Sequence, residues 1–237
     1  MTAQRIGIIG SSGGVGASTL VLGLARCAAA AGLRVVCVDA QWCSGGLDVV
    51  AGIEDQPGLR WADLTGVRGR MDGHELLAAL PSAAGVAVLS VDRARPGPIP
   101  GEAVLPVVTA VAEATQVCLL DLPRWGMPLA DDLATSLDDL LAVGASSACG
   151  LSGTAALFRS LDALPARTWL VHRGSGAEED IGRAVAEFTG MPLLGVLPDD
   201  RLVPRALAAG TWPGSGHGSF AAACSRMVTQ LRLQAMP

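Results

Sequence analysis

One glycine-rich loop near the start of the chain carries the residues best suited to chemistry. Glycines let the backbone take a positive φ and approach a phosphate closely, and the free N–H groups where a helix begins form an anion site. We therefore predict that this loop binds phosphate and is more than an ordinary tight turn. The predicted binding residues are Gly10, Gly13, Gly14, Val15, Gly16, Ala17, Ser18 and Thr19.

The loop fits the nucleoside-triphosphate pattern G-x-x-x-x-G-K-[ST] at every position except the lysine. Gly10 and Gly16 occupy its glycine positions, and Ser18 occupies the position of the magnesium-binding hydroxyl. The lysine position holds Ala17, and no distant lysine can replace it because all 17 basic residues are arginine. Since this lysine stabilises charge on the transferred phosphate, its absence predicts weak hydrolysis.

A dinucleotide loop is the competing interpretation of the same segment. The pattern G-x-G-x-x-G, started at Gly14, meets Thr19 where its third glycine should stand. Asp39, at the end of the second predicted strand, would suit a nicotinamide dinucleotide by bonding its ribose. An NAD-binding oxidoreductase of the Rossmann type is therefore an alternative, although no catalytic acid or base constellation accompanies the loop.

Two carboxylates and an arginine complete the candidate catalytic group. Asp39 and Asp121 each end a predicted strand, and Arg124 follows the second of them. Because parallel strands direct their carboxyl ends to one ligand crevice, we expect all three residues beside the loop. Asp121 would hold magnesium through a water molecule, with Ser18 as the other metal ligand. An active ATPase that uses Arg124 in place of lysine is a second alternative.

The elements that must position these residues alternate regularly between strand and helix. The predicted strands are apolar on both faces, as a parallel sheet covered by helices requires. They are Arg5–Gly10, Arg34–Asp39, Gly85–Val91, Gln116–Leu122, Asp139–Val143, Arg167–His172 and Pro192–Leu197. The predicted helices are Ala17–Ala31, Asp72–Ala79, Gly101–Ala114, Thr154–Leu161, Glu178–Phe188, Asp200–Ala209 and Phe220–Gln234. This alternation indicates an α/β fold with a doubly wound, mainly parallel sheet of seven to eight strands and helices on both faces.

The composition excludes several classes of protein. With 237 residues, of which 50% are apolar and 16% charged, the chain can bury a core and is too apolar for disorder. The net charge of −5 argues against a broad basic surface for nucleic acid. Signal peptide and membrane-length apolar run are both missing, and the six cysteines are scattered, so we expect a cytoplasmic protein with reduced thiols. We expect a single domain over residues 1–237.

Four segments together resemble the MinD/ParA superfamily of P-loop proteins. Gly13–Thr19 is similar to the deviant Walker A loop K-G-G-V-G-K-[ST]-T, whose two lysines correspond to Ser12 and Ala17 here. Val35–Gln41 resembles the second strand and its D-x-D end, with Gln41 in the place of the second aspartate. The two other segments are the Walker B-like Cys118–Arg124 and the G-x-[IV]-P-x-D-like run Gly195–Asp199.

The resemblance implies a nucleotide site built from these segments. It implies ATP or ADP with Mg²⁺ as cofactor, and it places Pro198 and Asp199 near the adenine. Asp39 would orient the region that senses the terminal phosphate. Because both lysines are missing, hydrolysis is expected to be weak or lost, and whether the chain is an enzyme stays open.

Two further segments of the sequence are most similar to the CpaE/TadZ-like branch of the superfamily. Gly45–Asp48 and Gly58–Leu64 carry this part of the resemblance. It implies a spatial or assembly factor for Tad-type pilus or secretion machinery, or for septum-site determination. Protein partners of that machinery and a homodimer are implied, without direct contact to nucleic acid and with at most peripheral contact at the membrane, pole or septum. The receiver-like domain that precedes many relatives is not expected here.

Two segments leave a choice between packing and surface contact. The last predicted helix has an apolar stripe but only Arg226 and Arg232 as positive charges, so docking on the sheet is favoured over membrane binding. Leu59, Arg60 and Trp61 lie together in a region expected near the crevice. They predict either a partner-binding hot spot or a helix packed by its tryptophan.

Overall fold

The computed structural model describes residues 3–42, 44–161, 166–174 and 178–233. The strands are β1 (Gln4–Gly10), β2 (Val35–Asp39), β3 (Ser82–Ala83), β4 (Val86–Leu89), β5 (Val117–Asp121), β6 (Asp139–Ala145), β7 (Arg167–Arg173) and β8 (Leu193–Leu197). The helices are α1 (Ala17–Ala30), α2 (Leu47–Ala51), α3 (Gly73–Ala79), α4 (Gly101–Ala114), α5 (Pro128–Ala134), α6 (Ala148–Ser160), α7 (Glu178–Thr189), α8 (Leu202–Ala208) and α9 (Ser219–Gln230), with a short 3₁₀ helix at Trp61–Leu64.

The strands form one sheet in the order β3-β4-β2-β5-β1-β6-β7-β8. Every neighbouring pair is parallel except β3 and β4. Helices cover both faces, so the predicted doubly wound α/β fold is confirmed. The sequence pattern does not predict β3, α2 or α5, which are 2, 5 and 7 residues long and give a weak periodic signal. The 3₁₀ helix at Trp61–Leu64 matches the helix expected beside Trp61.

Two apolar layers hold the helices onto the sheet. On one face, Leu20, Leu22 and Leu24 of α1 lie in a cluster with strand residues such as Ile8 and with α9. On the other face, the valines of α4 join residues of α3, α5 and the alternate strand positions. Strands buried on both faces explain why their sequences are continuous apolar runs.

Helix α6 begins at Ala148, earlier than the predicted start at Thr154. The side chain of Ser147 accepts a hydrogen bond from the backbone N–H of Gly150 at 3.1 Å and so caps the helix. An N-cap serine stabilises a first turn that contains glycine and other weak helix formers. The cap therefore accounts for the turn that periodicity leaves out.

Helix α9 is docked in the fold, as the sequence predicts. Phe220, Cys224 and Met227 are buried in the cluster that also holds α1. A Cβ on Gly23 of α1 would lie 2.6 Å from the ring of Phe220, so the two helices approach closely because α1 carries glycine there. The predicted end at Gln234 lies outside the described residues. None of the helices in the described ranges is long and apolar enough to cross a membrane.

Within the segment Gly58–Leu64, the side chains of Arg60, Trp61 and Leu64 are buried, whereas Gly58 and Asp63 are exposed. Arg60 is 6% exposed and Trp61 is 2% exposed. The hot-spot interpretation of this segment is therefore wrong, and the packing interpretation is confirmed. Exposed contact area is what a partner surface needs, and these two side chains have almost none.

Three of the five described cysteines are buried, Cys27 is partly buried and one is exposed. Cys37, Cys118 and Cys224 are buried, whereas Cys149 is exposed. Burial raises the pKa of the Cys118 thiol to about 12, so this side chain stays protonated and unreactive. Cys43 lies outside the described residues.

Candidate functional site

The glycine loop runs from the end of β1 to the start of α1 at the carboxyl edge of the sheet. Gly14 has φ +73° and Gly16 has φ +102°, a region that side-chain-bearing residues rarely adopt. Gly16 is the N-cap of α1, and no side chain caps the helix there. The first N–H groups of α1 are therefore available to an anion, as the sequence predicts.

The loop is held by its neighbours in the central sheet. The backbone N–H of Ser11 donates to the carbonyl of Val143 in β6 at 2.9 Å. On the same side, a Cβ on Gly153 of α6 would collide with the carbonyl oxygen of Ser11. The absence of a side chain at Gly153 therefore lets α6 pack directly against the loop and support it.

A cavity of about 250 Å³ opens on the loop. Every predicted loop residue lines this cavity, together with three residues that follow the neighbouring strand ends. Its lining is Gly10, Ser12, Gly13, Gly14, Val15, Gly16, Ala17, Ser18, Thr19, Gln41, Leu122 and Arg124. The two lysine positions of the deviant Walker A motif are occupied by Ser12 and Ala17. Both residues line the cavity, and neither contributes charge.

A second cavity of about 420 Å³ adjoins the first. Pro198 and Asp199, from the loop after β8, line it together with apolar side chains of α8 and α9. Gly14, Gly16 and Thr19 line both cavities. The structure therefore brings the predicted residues of the β8 loop to the glycine loop, and the joined cavities could seat an apolar ring at one end and phosphates at the other.

The two predicted carboxylates are register partners on adjacent strands. Asp39 of β2 pairs with Asp121 of β5, and the side chains are 0% and 2% exposed. Asp121 accepts a hydrogen bond of 2.7 Å from Nε2 of Gln41, and the hydroxyl of Ser18 lies close to the same carboxylate. Burial, with the nearby Asp39 carboxylate as a second cause, raises the pKa of Asp121 to about 7.

The carboxylate of Asp39 points into a hydrogen-bond network behind the cavity. Its Oδ1 accepts from the backbone N–H of Gln41 at 2.9 Å, and its Oδ2 accepts from the N–H of Leu47 and the hydroxyl of Ser90, each at 2.8 Å. Burial raises the pKa of Asp39 above its ordinary value. Asp39 is not among the residues that line the glycine-loop cavity. Its contacts hold the turn after β2 and the start of α2.

The side chains of Arg60 and Trp61 stabilise the turn after β2. The indole Nε1 of Trp61 donates to the carbonyl of Asp39 at 2.6 Å. Nε of Arg60 lies 3.3 Å from Oδ2 of Asp48, and both side chains are buried. The hydroxyl oxygen of Ser90 also lies 3.2 Å from Oδ1 of Asp48, so its single proton is shared between the two carboxylates and the network links Arg60 to Asp39. Sequence reasoning missed this support, since the partners are far apart in the chain.

The predicted magnesium ligands fit the ion. The hydroxyl of Ser18 and the carboxylate of Asp121 are neighbours, and both offer the oxygen atoms that magnesium prefers. Across the described ranges, no group of three or more His, Cys, Asp and Glu residues could hold a metal ion by itself. An ion bound here would therefore depend on phosphate oxygens and water for its other ligands.

Two arginines flank the glycine loop. Arg124 is exposed, and a Cβ on Gly13 would lie 3.4 Å from its Nη2, so the guanidinium lies over the loop as its position after β5 predicts. Arg173 ends β7, and sequence reasoning missed it. Its Nη1 donates to the carbonyl of Gly14 at 3.0 Å, and its Nε donates to Asp199 at 2.8 Å. The available signal was its place just beyond a predicted strand.

This fold and this site define a nucleotide-binding α/β protein of the P-loop kind. Residues 6–213 match the family described as the CobQ/CobB/MinD/ParA nucleotide binding domain, and the chain belongs to that family. An uncharacterized protein of Mycobacterium tuberculosis is 35% identical over 192 residues, which cover 80% of this chain and 53% of that protein. The chain therefore spans about half the length of the curated relatives it matches.

Solved structures show the same fold at low sequence identity. A ParA family ATPase from Chlorobium tepidum covers 97% of this chain and 99% of its own, with a TM-score of 0.81 and 16% identity. A MinC:MinD cell division protein complex from Aquifex aeolicus covers 99% and 98%, with a TM-score of 0.79 and 18% identity. The family match over residues 6–213 confirms the predicted MinD/ParA superfamily, and these structures share its fold.

Proposed function

We propose that the chain is a MinD/ParA-type protein that binds adenine nucleotide and hydrolyses it slowly or not at all. One observation carries the proposal: Gly14, Gly16 and Thr19 line both the glycine-loop cavity and the cavity at Pro198 and Asp199. Backbone N–H groups can hold phosphates there without lysine, whereas transition-state charge would lack its usual partner at Ala17. Nucleotide would then act as a binding switch on a degenerate Walker A loop.

Magnesium completes the proposed site. Ser18 would bind the ion directly and Asp121 through water, and the ion would neutralise charge on the bound phosphates. Asp39 acts in this proposal by holding the turn that carries Gln41, which lines the glycine-loop cavity.

The proposed cellular role is that of a CpaE/TadZ-like spatial or assembly factor. It would serve Tad-type pilus or secretion machinery, or septum-site determination, through protein partners and a homodimer. Support comes from Gly45–Asp48 and Gly58–Leu64, and from the MinC:MinD complex that shares the fold. The proposed location is the cytoplasm, peripherally at the membrane, pole or septum, with a single domain over residues 1–237.

A second candidate function is that of an ATPase that uses Arg124 in place of lysine. The guanidinium over Gly13 supports it. The dinucleotide alternative has less support, because both oxygens of Asp39 already accept protein hydrogen bonds and the side chain is 0% exposed. A ribose would need one of those oxygens.

Calorimetric titration with ATP, ADP and NAD, alongside a phosphate-release assay, tests the proposal. We expect binding of ATP and ADP, none of NAD, and release at background. Gly14→Val should abolish binding, because nothing lies within 4 Å of a Cβ there and the valine would fill the cavity. Gly32→Val is the matched control: Gly32 also has a positive φ and open space, but lies outside both cavities.

Preferential binding of NAD would contradict the proposal. Magnesium-dependent release that Arg124→Ala removes would instead establish the ATPase candidate. Equal loss of binding in both glycine variants would trace the effect to backbone strain and leave the cavity assignment without support.

A further inference from the structure

Arg173 lies where the two cavities of the site meet. It lines the cavity at Pro198 and Asp199, and a Cβ on Gly16 would lie 4.0 Å from its Nη1. Its guanidinium bridges the two walls of the site, from the carbonyl of Gly14 at 3.0 Å to Oδ1 of Asp199 at 2.8 Å. The side chain is 40% exposed, so it remains accessible to a ligand.

We propose that Arg173 binds the phosphate next to the nucleoside, in an inference that rests on the proposed nucleotide function. A nucleotide that fills both cavities must pass Gly14, Gly16 and Thr19, the residues that line both. The phosphate at this junction is the one attached to the nucleoside, because the base occupies the cavity at Pro198. Arg173 stands at the same junction, and a guanidinium matches phosphate oxygens with two parallel N–H groups.

The present partners of Arg173 can yield to a phosphate. One is a neutral carbonyl, and the other is Asp199, whose side chain is 59% exposed. An exposed ion pair contributes little to stability, and a phosphate offers more charge than either partner. Binding would therefore exchange weak contacts for stronger ones without breaking a buried pair.

Arg124 and Arg173 bind different phosphates of the same nucleotide. Among the described residues that line the two cavities, the cationic ones are Arg124, Arg173 and Arg201. Arg124 lies over Gly13 and lines the glycine-loop cavity but not the cavity at Pro198, so the terminal phosphate of ATP would lie near it. Arg173 serves the proximal phosphate, and Arg124 serves the distal one. The two arginines thus take over ground-state charge that lysine supplies elsewhere.

The length of the phosphate chain separates these roles. We would titrate adenosine, AMP, ADP and ATP into the wild type, Arg173→Gln and Arg124→Gln. Arg173→Gln should weaken AMP, ADP and ATP alike, each by about tenfold, and leave adenosine unchanged. Arg124→Gln should weaken ATP while AMP keeps its affinity. Arg173→Lys, which keeps the charge and loses the planar fork, should fall between wild type and Arg173→Gln.

Arg205→Gln is the matched control for net charge, since Arg205 is exposed on α8 and lines neither cavity. It should bind all four ligands like the wild type. Equal AMP affinity in wild type and Arg173→Gln would overturn the inference. So would a loss of adenosine that matches the loss of AMP, because Arg173 would then only hold the two walls together. A wild type that binds no nucleotide would overturn the proposed function itself, which distinguishes the two failures.

Discussion

Nε2 of Gln41 donates a 2.7 Å hydrogen bond to Oδ1 of Asp121, across the carboxyl ends of β2 and β5. An amide therefore occupies one oxygen of the carboxylate that the sequence assigns to magnesium. The amide is neutral and donates where the superfamily motif has a second aspartate. This contact gives a buried carboxylate a hydrogen-bond partner.

Gln41→Asp is expected to make the site depend more strongly on magnesium. The change places a carboxylate beside Asp121, and repulsion between the two is relieved when a divalent cation binds. ADP titrations with Mg²⁺ and with chelator should show a larger ratio of affinities for the variant than for the wild type. Thermal unfolding without metal should show a lower midpoint. An unchanged affinity ratio would argue against magnesium at Ser18 and Asp121.

Ala17→Lys is expected to raise ATP affinity by on the order of tenfold and to leave the fold intact. Ala17 is partly exposed and lines the glycine-loop cavity, so a lysine there can reach bound phosphates. Calorimetry measures the gain, and phosphate release shows whether turnover returns. Ala31→Lys is a control at the exposed end of α1, which adds the same charge away from the cavity. Equal gains in both variants would assign the effect to net charge.

Stability should fall as pH rises because of Asp121. Burial raises its pKa from 3.8 to about 7, so the folded state holds a proton that the unfolded chain has released. The contribution is fully present below the unfolded pKa and is lost as pH rises through the folded pKa. Between those two values, each step of one pH unit removes on the order of 1 kcal/mol from the free energy of unfolding.

Urea unfolding of the metal-free wild type and Asp121→Asn, from acid to slightly alkaline pH, checks this. Relative to the variant, which cannot titrate at this position, the wild type should lose stability across that window and then level off. A difference that is independent of pH, or that grows in the opposite direction, would show that burial does not raise the pKa of Asp121.

Arg60→Ala is expected to destabilise the fold by about 3–5 kcal/mol, because it leaves the buried Asp48 carboxylate without its ion-pair partner. Arg68→Ala is the matched control, since the Arg68–Glu102 pair is largely exposed and should contribute below about 1 kcal/mol. Chemical denaturation measures both. Equal, small losses would mean that the Asp48–Arg60 pair does not support the turn after β2.

Local patterns of the sequence predict much of the fold. Apolar runs with no polar face, such as Val117–Asp121, predict buried parallel strands because only a sheet covered on both sides accepts them. The glycine loop is equally readable, since Gly14 and Gly16 adopt the positive φ that their residue type permits. The order of strand, loop and helix then places Asp121 and Arg124 near the loop by topology alone.

Tertiary structure decided what depends on distant partners. The sequence around Arg60 and Trp61 does not reveal whether their side chains face solvent or the core. Their burial depends on the contacts of Arg60 with Asp48 and of Trp61 with the carbonyl of Asp39. Arg173 meets Gly14 across 159 positions of the chain. Backbone conformation follows from neighbouring residue types, whereas the burial and pairing of a charge depend on which groups the fold brings within a few ångströms.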